Sequence, residues 1–361
     1  MSCSKLKKEI TMYEKLQPHQ PADNAATLIP KNVSDFQRLN GNRETRVVIG
    51  RDVNLGFNAD RPVLIVAPGP SAREGLSERV QAHKDAGGVV VLAGGASMFL
   101  NKGVDGSDAI LTPDQVDAVV YSNPDSDHAG LIKEGTDLTG VSVYMATHCR
   151  SYETLKDSEG HVLDDEAGNH LDNTDAPDVY QRIERAGGVL CPFHAHTEGV
   201  HEPEFTPEGA IHPQAPVVLG YGHGAVVGGM SVMSALGHRD FETIGWDGYP
   251  EYAVSLDDTP DYKKKVGEEH VILDIGGKKT AVFGPFAGDP TEFVQFVTHY
   301  PEAIRSLHVL GGGAVAQILT PDDRPRSDFS NVKIGSDDLG HNNAPKETAE
   351  TGSFPALEKE I

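Results

Sequence analysis

The stretch RPVLIVAPGPS, residues 61–71, decides the fold. A short apolar, β-branched run behind a proline, closed by Pro68, Gly69, Pro70 and Ser71, reads as a buried parallel strand entering a tight turn. Residues 72–86 then carry helical spacing through Leu76, Val80 and Ala82 or His83, with Glu74 placed to favour an amino end. The unit is strand, turn, helix. In an open α/β sheet, ligands sit beyond the carboxyl ends of the strands, and a glycine there lets the main chain approach a phosphate. Gly69, Pro70 and Ser71 are therefore expected nucleotide contacts. The turn matches neither the dinucleotide fingerprint nor the Walker loop, and Gly-Pro also serves turn geometry alone.

Outward from this unit the pattern repeats. Gly87 and Gly88 end the helix, residues 89–92 form the next strand, and Gly94 and Gly95 open a short helix at a second glycine turn. Two further apolar segments, 109–111 and 118–121, run into Thr112-Pro113-Asp114 and Ser122-Asn123-Pro124-Asp125, which places polar side chains just past each predicted strand. Residues 141–145 make another strand, with a helix expected from Ser151. Residues 156–176 are acidic and polar without an apolar period, and read as an exposed excursion with the character of a lid. The sheet resumes at 188–191 and runs into Pro192-Phe193-His194-Ala195-His196.

Residues 217–247 carry the second strong signal: a strand, the turn Gly222-His223-Gly224, a helix lined with Gly228, Gly229 and Ala235, then a strand leading to Trp246-Asp247-Gly248-Tyr249. The helix head offers free N–H groups and the positive end of its dipole. Residues 270–275 and 278–283 flank Gly276-Gly277 as a hairpin. Residues 289–300 read as an amphipathic helix with an Asp-Pro start. Residues 307–310 and the triple glycine 311–313 add one more strand and helix entry, the glycines read as structural. These elements predict an α/β, Rossmann-like, mostly parallel doubly wound sheet with a late β-hairpin over 61–320, with an exposed insertion near 156–180. Residues 1–60 are expected to form an arm or cap, and 321–361 a polar, disordered tail.

Composition narrows the partners. The 361 residues carry 54 acidic against 31 basic side chains, a formal charge of −23, which disfavours nucleic acid. No run of eighteen apolar residues is present to span a membrane, and MSCSKLKKEI lacks a signal-peptide core. Three cysteines without CxxC spacing suit a reducing compartment. A cytoplasmic protein is expected.

Diphosphoryl transfer needs phosphates held in line, a metal ion and a base for the attacking hydroxyl. Asp114, Asp125 and Asp247 are the acids expected to hold Mg²⁺, with turn-capping as the alternative role for each. Glycosyl transfer asks instead for a base near the acceptor and charge stabilisation on the leaving phosphate, with metal optional. His194, His196 and His201, or His148 beside Cys149, raise a zinc site without the HExxH spacing. Nothing in the sequence lowers the Cys149 thiol pKa, so packing is its expected role.

The ordered motifs APGPS (67–71), LAGGAS (92–97), YMATHC (144–149), PFHAH (192–196), GHGAVVGGMSVMSALGHRDFETIGWD (222–247) and LGGGAVAQIL resemble the MptE-like, Rossmann-like group. That group is named after an archaeal hydroxymethyl-dihydropterin diphosphokinase. The resemblance implies a nucleotide-binding transferase, moving diphosphate from ATP to a small hydroxyl acceptor. The first turn and the later glycine-to-GWD block are also similar to bacterial sialyltransferases that use a CMP-sugar donor, although GHGAVVGG stands where those show Thr-Ser-Gly. That similarity implies that Gly69, Pro70 and Ser71 hold the nucleotide, that Gly222, His223 and Gly224 hold its phosphates, and that His194 is the base. Gly94 joins the nucleotide contacts and Asp247 the catalytic candidates. A nucleotide-sugar-dependent glycosyltransferase and a non-catalytic nucleotide-binding protein stand as the alternatives.

Overall fold

The computed structural model describes residues 25–40, 61–103, 108–124, 126–165, 170–195, 217–218, 224–248, 270–275, 278–283, 289–311, 314–319 and 333–336. Among these, nine strands form one sheet: β1 (Val63–Val66), β2 (Val89–Ala93), β3 (Ala118–Tyr121), β4 (Ser142–Ala146), β5 (Val189–Ala195), β6 (Val217–Val218), β7 (Asp240–Ile244), β10 (Ser306–Leu310) and β11 (Lys333–Ser336). Their order is β11-β10-β7-β1-β2-β3-β4-β5-β6, with every neighbouring pair parallel. The remaining two strands, β8 (His270–Ile275) and β9 (Lys278–Phe283), form a separate antiparallel hairpin. The fold is the expected Rossmann-like α/β class.

The central strands explain themselves. β1 (VLIV), β2 (VVVLA) and β3 (AVVY) are buried at every residue, as continuous apolar runs must be when both faces of a parallel sheet are covered. The covering helices are α2 (Leu76–Asp85), α4 (Val179–Arg185), α5 (Ala225–Ala235), α6 (Asp289–His299) and α7 (Ala314–Leu319), with a single turn, α3 (His128–Leu131), after β3. α5 is the central one, lying across β1, β2 and β3 and against α6. No described helix is long and apolar enough to cross a membrane.

α1 (Ala25–Asn40) covers the carboxyl ends of β3 and β4. The Asn32 side-chain amide donates to Pro124 O at 3.1 Å and to His148 O at 2.8 Å, and Phe36 meets Tyr180 edge-on. Arg38 donates to the Tyr152 hydroxyl at 2.9 Å.

Four local expectations change. Residues 109–111 are not a strand: Ile110 is 47% exposed, and Leu111 reaches back to bond Phe99 O. Asp114 therefore belongs to a 3-10 turn, Pro113–Gln115, that leads into β3 rather than out of a strand. The helix expected from Ser151 starts instead at Val179, where Asp178 caps it by accepting from Gln181 N. Residues 333–336, expected in a polar tail, add β11 to the sheet edge.

The fourth change is the excursion, which has an order of its own. Leu155, Leu163 and Leu171 recur every eight residues, and their amides close a ring: Leu155 N donates to Leu171 O, Leu163 N to Leu155 O and Leu171 N to Leu163 O, at 2.8 to 2.9 Å. Bridges Thr154↔Asp172, Lys156↔Val162 and Asp164↔His170 complete three short segments that each pair with the other two. Asp157 makes the first turn by accepting from the amides of Glu159 and His161, an Asx turn. Buried Arg150 pins this unit to the core through Asp172, which also pairs with Lys31 of α1.

The close approach of α5 to the sheet gives a paired prediction. A Cβ on Gly228 would lie 2.6 Å from Ser122 Oγ and 2.9 Å from its Cβ, whereas one on Gly229 would meet Ile65 at an ordinary 3.5 Å. Gly228→Ala is expected to lower stability by about 1–3 kcal/mol through overpacking. Gly229→Ala is expected to be neutral or to add up to about 1 kcal/mol from helix propensity. Urea unfolding of the two variants measures the difference, and equal effects would contradict the packing.

Candidate functional site

β1 and β7 are neighbours, yet the chain leaves them in opposite directions: from β1 outward through β2 to β6, then back to β7 and on to β10. Such a reversal is where loops part at the carboxyl edge of a parallel sheet and a ligand crevice forms. The turns that follow these two strands are bound to each other. Ala67 N donates to Ile244 O at 2.8 Å and Gly69 N to Gly245 O at 3.0 Å. In return Gly245 N donates to Ser71 Oγ at 2.9 Å, and Ser71 N donates to Asp247 Oδ2 at 2.8 Å.

Only glycine fits at the crossing. Gly245 has φ +77°, and a Cβ there would collide with Ala67 O. On Gly69 it would collide with Gly245 O and lie 2.5 Å from Asp247 Oδ2. Pro70 opens the 3-10 turn that aims the Ser71 amide at Asp247. The turn after β10 joins them, since a Cβ on Gly311 would lie 2.7 Å from Ser71 Oγ. Asp247 is buried, and desolvation raises its carboxyl pKa against the bonds from Ser71 that lower it.

The head of α5 lies on the same edge. Gly94, at φ +50°, leaves room for Ala225, whose Cβ would stand 3.0 Å from a Cβ on Gly94. Gly95 leaves Pro68 at 3.4 Å in the same way. The β2 turn thus sits between the Pro68 turn and the start of α5.

At that start stand two acids of α6. Gly224 N donates to Glu292 Oε2 at 2.9 Å, and a Cβ on Gly224 would lie 2.9 Å from both Glu292 Oε2 and Asp289 Oδ1. Trp246 Nε1 donates to Asp289 Oδ2 at 2.8 Å, and its ring meets Phe293 edge-on. Asp289 is 5% and Glu292 2% exposed. Burial pushes the Asp289 carboxyl up to about 7. Burial, and then the charge of Asp289, push Glu292 well above the usual carboxylate range. Each place expected to cradle a phosphate, at Ser71 N and at Gly224 N, therefore faces a carboxyl of the chain itself.

Of the residues expected from sequence, Gly69, Pro70, Ser71, Gly94, Gly224 and Asp247 share this edge. Asp114 does not: it precedes β3 and lies at the opposite, amino edge, where Gln115 bonds Ser77. It cannot join Asp247 around one metal ion. Gly222, His223, Asp125, His196 and His201 lie outside the described residues. His194 belongs to β5, where it pairs with Val217. β5 stands four strands from β1, about 19 Å at the usual strand spacing.

His148 and Cys149 close β4. His148 Nε2 donates to Ser122 O at 2.7 Å, and His128 Nε2 donates to Asn123 O at 2.8 Å while its ring packs on Tyr121. Burial lowers both imidazoles, His128 to about 4, so both are neutral at neutral pH. Burial raises the Cys149 thiol, which suits packing rather than nucleophilic attack. Among the described residues no group of three or more His, Cys, Asp or Glu is placed to hold a metal ion.

The acids that sequence reasoning missed are Asp289 and Glu292. Their signal was present as Asp-Pro-Thr-Glu, two acids three residues apart at the start of an apolar helix. That pattern ordinarily marks a solvated first turn.

The fold and this crevice define a Rossmann-like α/β protein. No protein-family model matches the chain, and neither does a curated protein; the MptE-like resemblance rests on the motifs alone. Among solved structures the chain is similar to the MAf glycosyltransferase from Magnetospirillum magneticum AMB-1, at 12% identity and a TM-score of 0.49. The similarity covers 84% of this chain and 39% of that protein, so the chain spans well under two thirds of its length. A likeness at this level does not extend to activity or substrate.

Two outcomes test the geometry. Gly69→Ala and Gly245→Ala are each expected to cost about 1–3 kcal/mol or more in urea unfolding; an unchanged midpoint would contradict the crossing. The raised Asp289 carboxyl contributes stability that is full below the unfolded-state value of about 4. That contribution is lost as pH rises through about 7. The melting temperature of Asp289→Asn, or of Glu292→Gln, is therefore expected to fall less than that of the native chain between these limits. Parallel curves would contradict burial of the pair.

Proposed function

We propose that this chain is a nucleotide-binding transferase whose donor lies across the carboxyl ends of β1, β2 and β7, beneath the head of α5. The observation that carries this reading is the convergence of the Gly69, Gly94 and Gly224 turns on one sheet edge at the strand-order reversal. The Gly69 and Gly224 amides are taken by Gly245 O and Glu292 Oε2, so support comes from the place of these turns at the reversal and from the positive end of the eleven-residue helix α5.

The form of transfer that suits the described residues is from a nucleotide sugar. Catalysis there rests on orientation and on charge stabilisation of the leaving phosphate by fixed dipoles, with metal optional. Of the acids expected to hold Mg²⁺, Asp114 is at the far edge, Asp247 is buried with its carboxylate bound to the Ser71 amide, and Asp125 lies outside the described residues. Diphosphate transfer from ATP, implied by the MptE-like motifs, is the second reading.

A thermal-shift panel of nucleotides and nucleotide sugars, each with and without magnesium, tests this directly. A CMP- or UDP-sugar is expected to stabilise the fold, by about 2.7 kcal/mol at a hundredfold excess over Kd. Ser71→Ala, which removes the acceptor for Gly245 N and so loosens the β1–β7 crossing, is expected to weaken that binding by up to about tenfold, the scale of one lost hydrogen bond. Slow hydrolysis of the bound donor marks a transferase, and binding without turnover a binding protein. A panel in which no nucleotide binds ends the reading. Stabilisation by ATP alone, and only with magnesium, moves it to diphosphate transfer.

A further inference from the structure

A buried polar atom without a hydrogen-bond partner is costly and calls for an explanation. Three such atoms flank one short turn, residues 122–124, at the carboxyl end of β3. They are Ser122 Oγ, Asn32 Oδ1 and His128 Nδ1, in side chains that are 0%, 1% and 1% exposed. Asn32 of α1 gives its amide N–H groups to Pro124 O and His148 O, so its oxygen is left as an acceptor alone. His128, the first residue of α3, donates from Nε2 to Asn123 O at 2.8 Å. Burial keeps that ring neutral, and Nδ1 therefore carries a bare lone pair. Ser122 faces α5: its Oγ lies 2.6 Å from where a Cβ on Gly228 would stand. The same turn of α5 meets the Gly94 turn through Ala225, so this place adjoins the crevice over β2.

The chemistry of the three atoms selects a ligand group. Two of them can only accept, and the Ser122 hydroxyl can do either. The cations near the turn are already matched, Lys31 and Arg150 with Asp172 and Arg182 with Glu153. An anion gains little from such a set, whereas a neutral group with several O–H donors answers it.

We propose that the turn at 122–124 is a subsite for a neutral polyhydroxylated group, such as a sugar, whose hydroxyls donate to Asn32 Oδ1 and His128 Nδ1 and share a hydrogen bond with Ser122 Oγ. This inference rests on the transferase reading above and adds the class of a second substrate group beside the nucleotide. That group is either the sugar of the donor or a separate acceptor. α1 closes the turn through the two Asn32 bonds, so entry opens at α1.

Calorimetry with UDP, GDP and CMP, with UDP-glucose, GDP-mannose and CMP-N-acetylneuraminate, and with free glucose added to the protein loaded with each nucleotide that binds, separates the cases. If the group belongs to the donor, the sugar conjugate is expected to bind at least about tenfold more tightly than its bare nucleotide, the scale of one hydrogen bond. If it belongs to an acceptor, glucose is expected to bind the loaded protein. Ser122→Ala, and His128→Gln, whose amide keeps a donor for Asn123 O, are each expected to remove that gain. Because Ser122 Oγ has no partner in the free protein, Ser122→Ala is also expected to keep or raise the urea midpoint. A lowered midpoint marks a structural hydroxyl and contradicts the subsite. Sugars that add nothing to any nucleotide, or a gain that both variants keep, mean that these atoms meet water only; either result overturns this inference and leaves the nucleotide reading intact. Binding of no probe ends both.

Discussion

Four main-chain and side-chain bonds between the turn after β1 and the turn after β7 hold the centre of this molecule together. Ala67, Gly69, Gly245 and Ser71 exchange them across a gap in which no Cβ fits at Gly69 or Gly245. The constraint follows from topology. Strands β1 and β7 are sequence-distant neighbours whose chains diverge immediately, so the polar groups of both turns must find partners in each other or in a ligand. Here they find each other, with the buried Asp247 carboxyl closing the circuit.

That circuit reaches the rest of the crevice through one residue. Trp246, between Gly245 and Asp247, carries its indole N–H to Asp289 and so joins the β1–β7 crossing to the head of α5. Small residues allow the approach at every step: Gly94 against Ala225, Gly95 against Pro68, Gly228 against Ser122. The result is an edge that is glycine-rich in sequence and acid-capped in space. A close main-chain approach serves a bound phosphate and an internal carboxyl equally well, which is why glycine turns alone do not identify a ligand.

Much of the sheet was legible in the sequence because β1, β2 and β3 are continuous apolar runs bounded by glycine and proline. Their reading needs only the rule that a parallel strand buries both faces. What was not legible depended on tertiary context. Whether residues 109–111 form a strand turns on a neighbour, and Ile110, 47% exposed, pairs with no strand among the described residues; that single misreading moved Asp114 from one edge of the sheet to the other. Leu155, Leu163 and Leu171 recur at a period belonging to neither helix nor strand, so a search at those periods passes over them. Asp289 and Glu292 look like a solvated helix start until α5 is laid against them. The four residues of β11 sit in polar sequence because an edge strand needs only one covered side.

The claim on which the account stands is that the β1–β7 crossing and the α5 head form one ligand-binding edge. Hydrogen–deuterium exchange, with and without a nucleotide that stabilises the fold, measures this most directly. The account predicts that added protection falls together on residues 67–71, 94–96, 224–228 and 245–248. Protection confined to the amino edge around 112–117, or to the 154–173 unit, would contradict it.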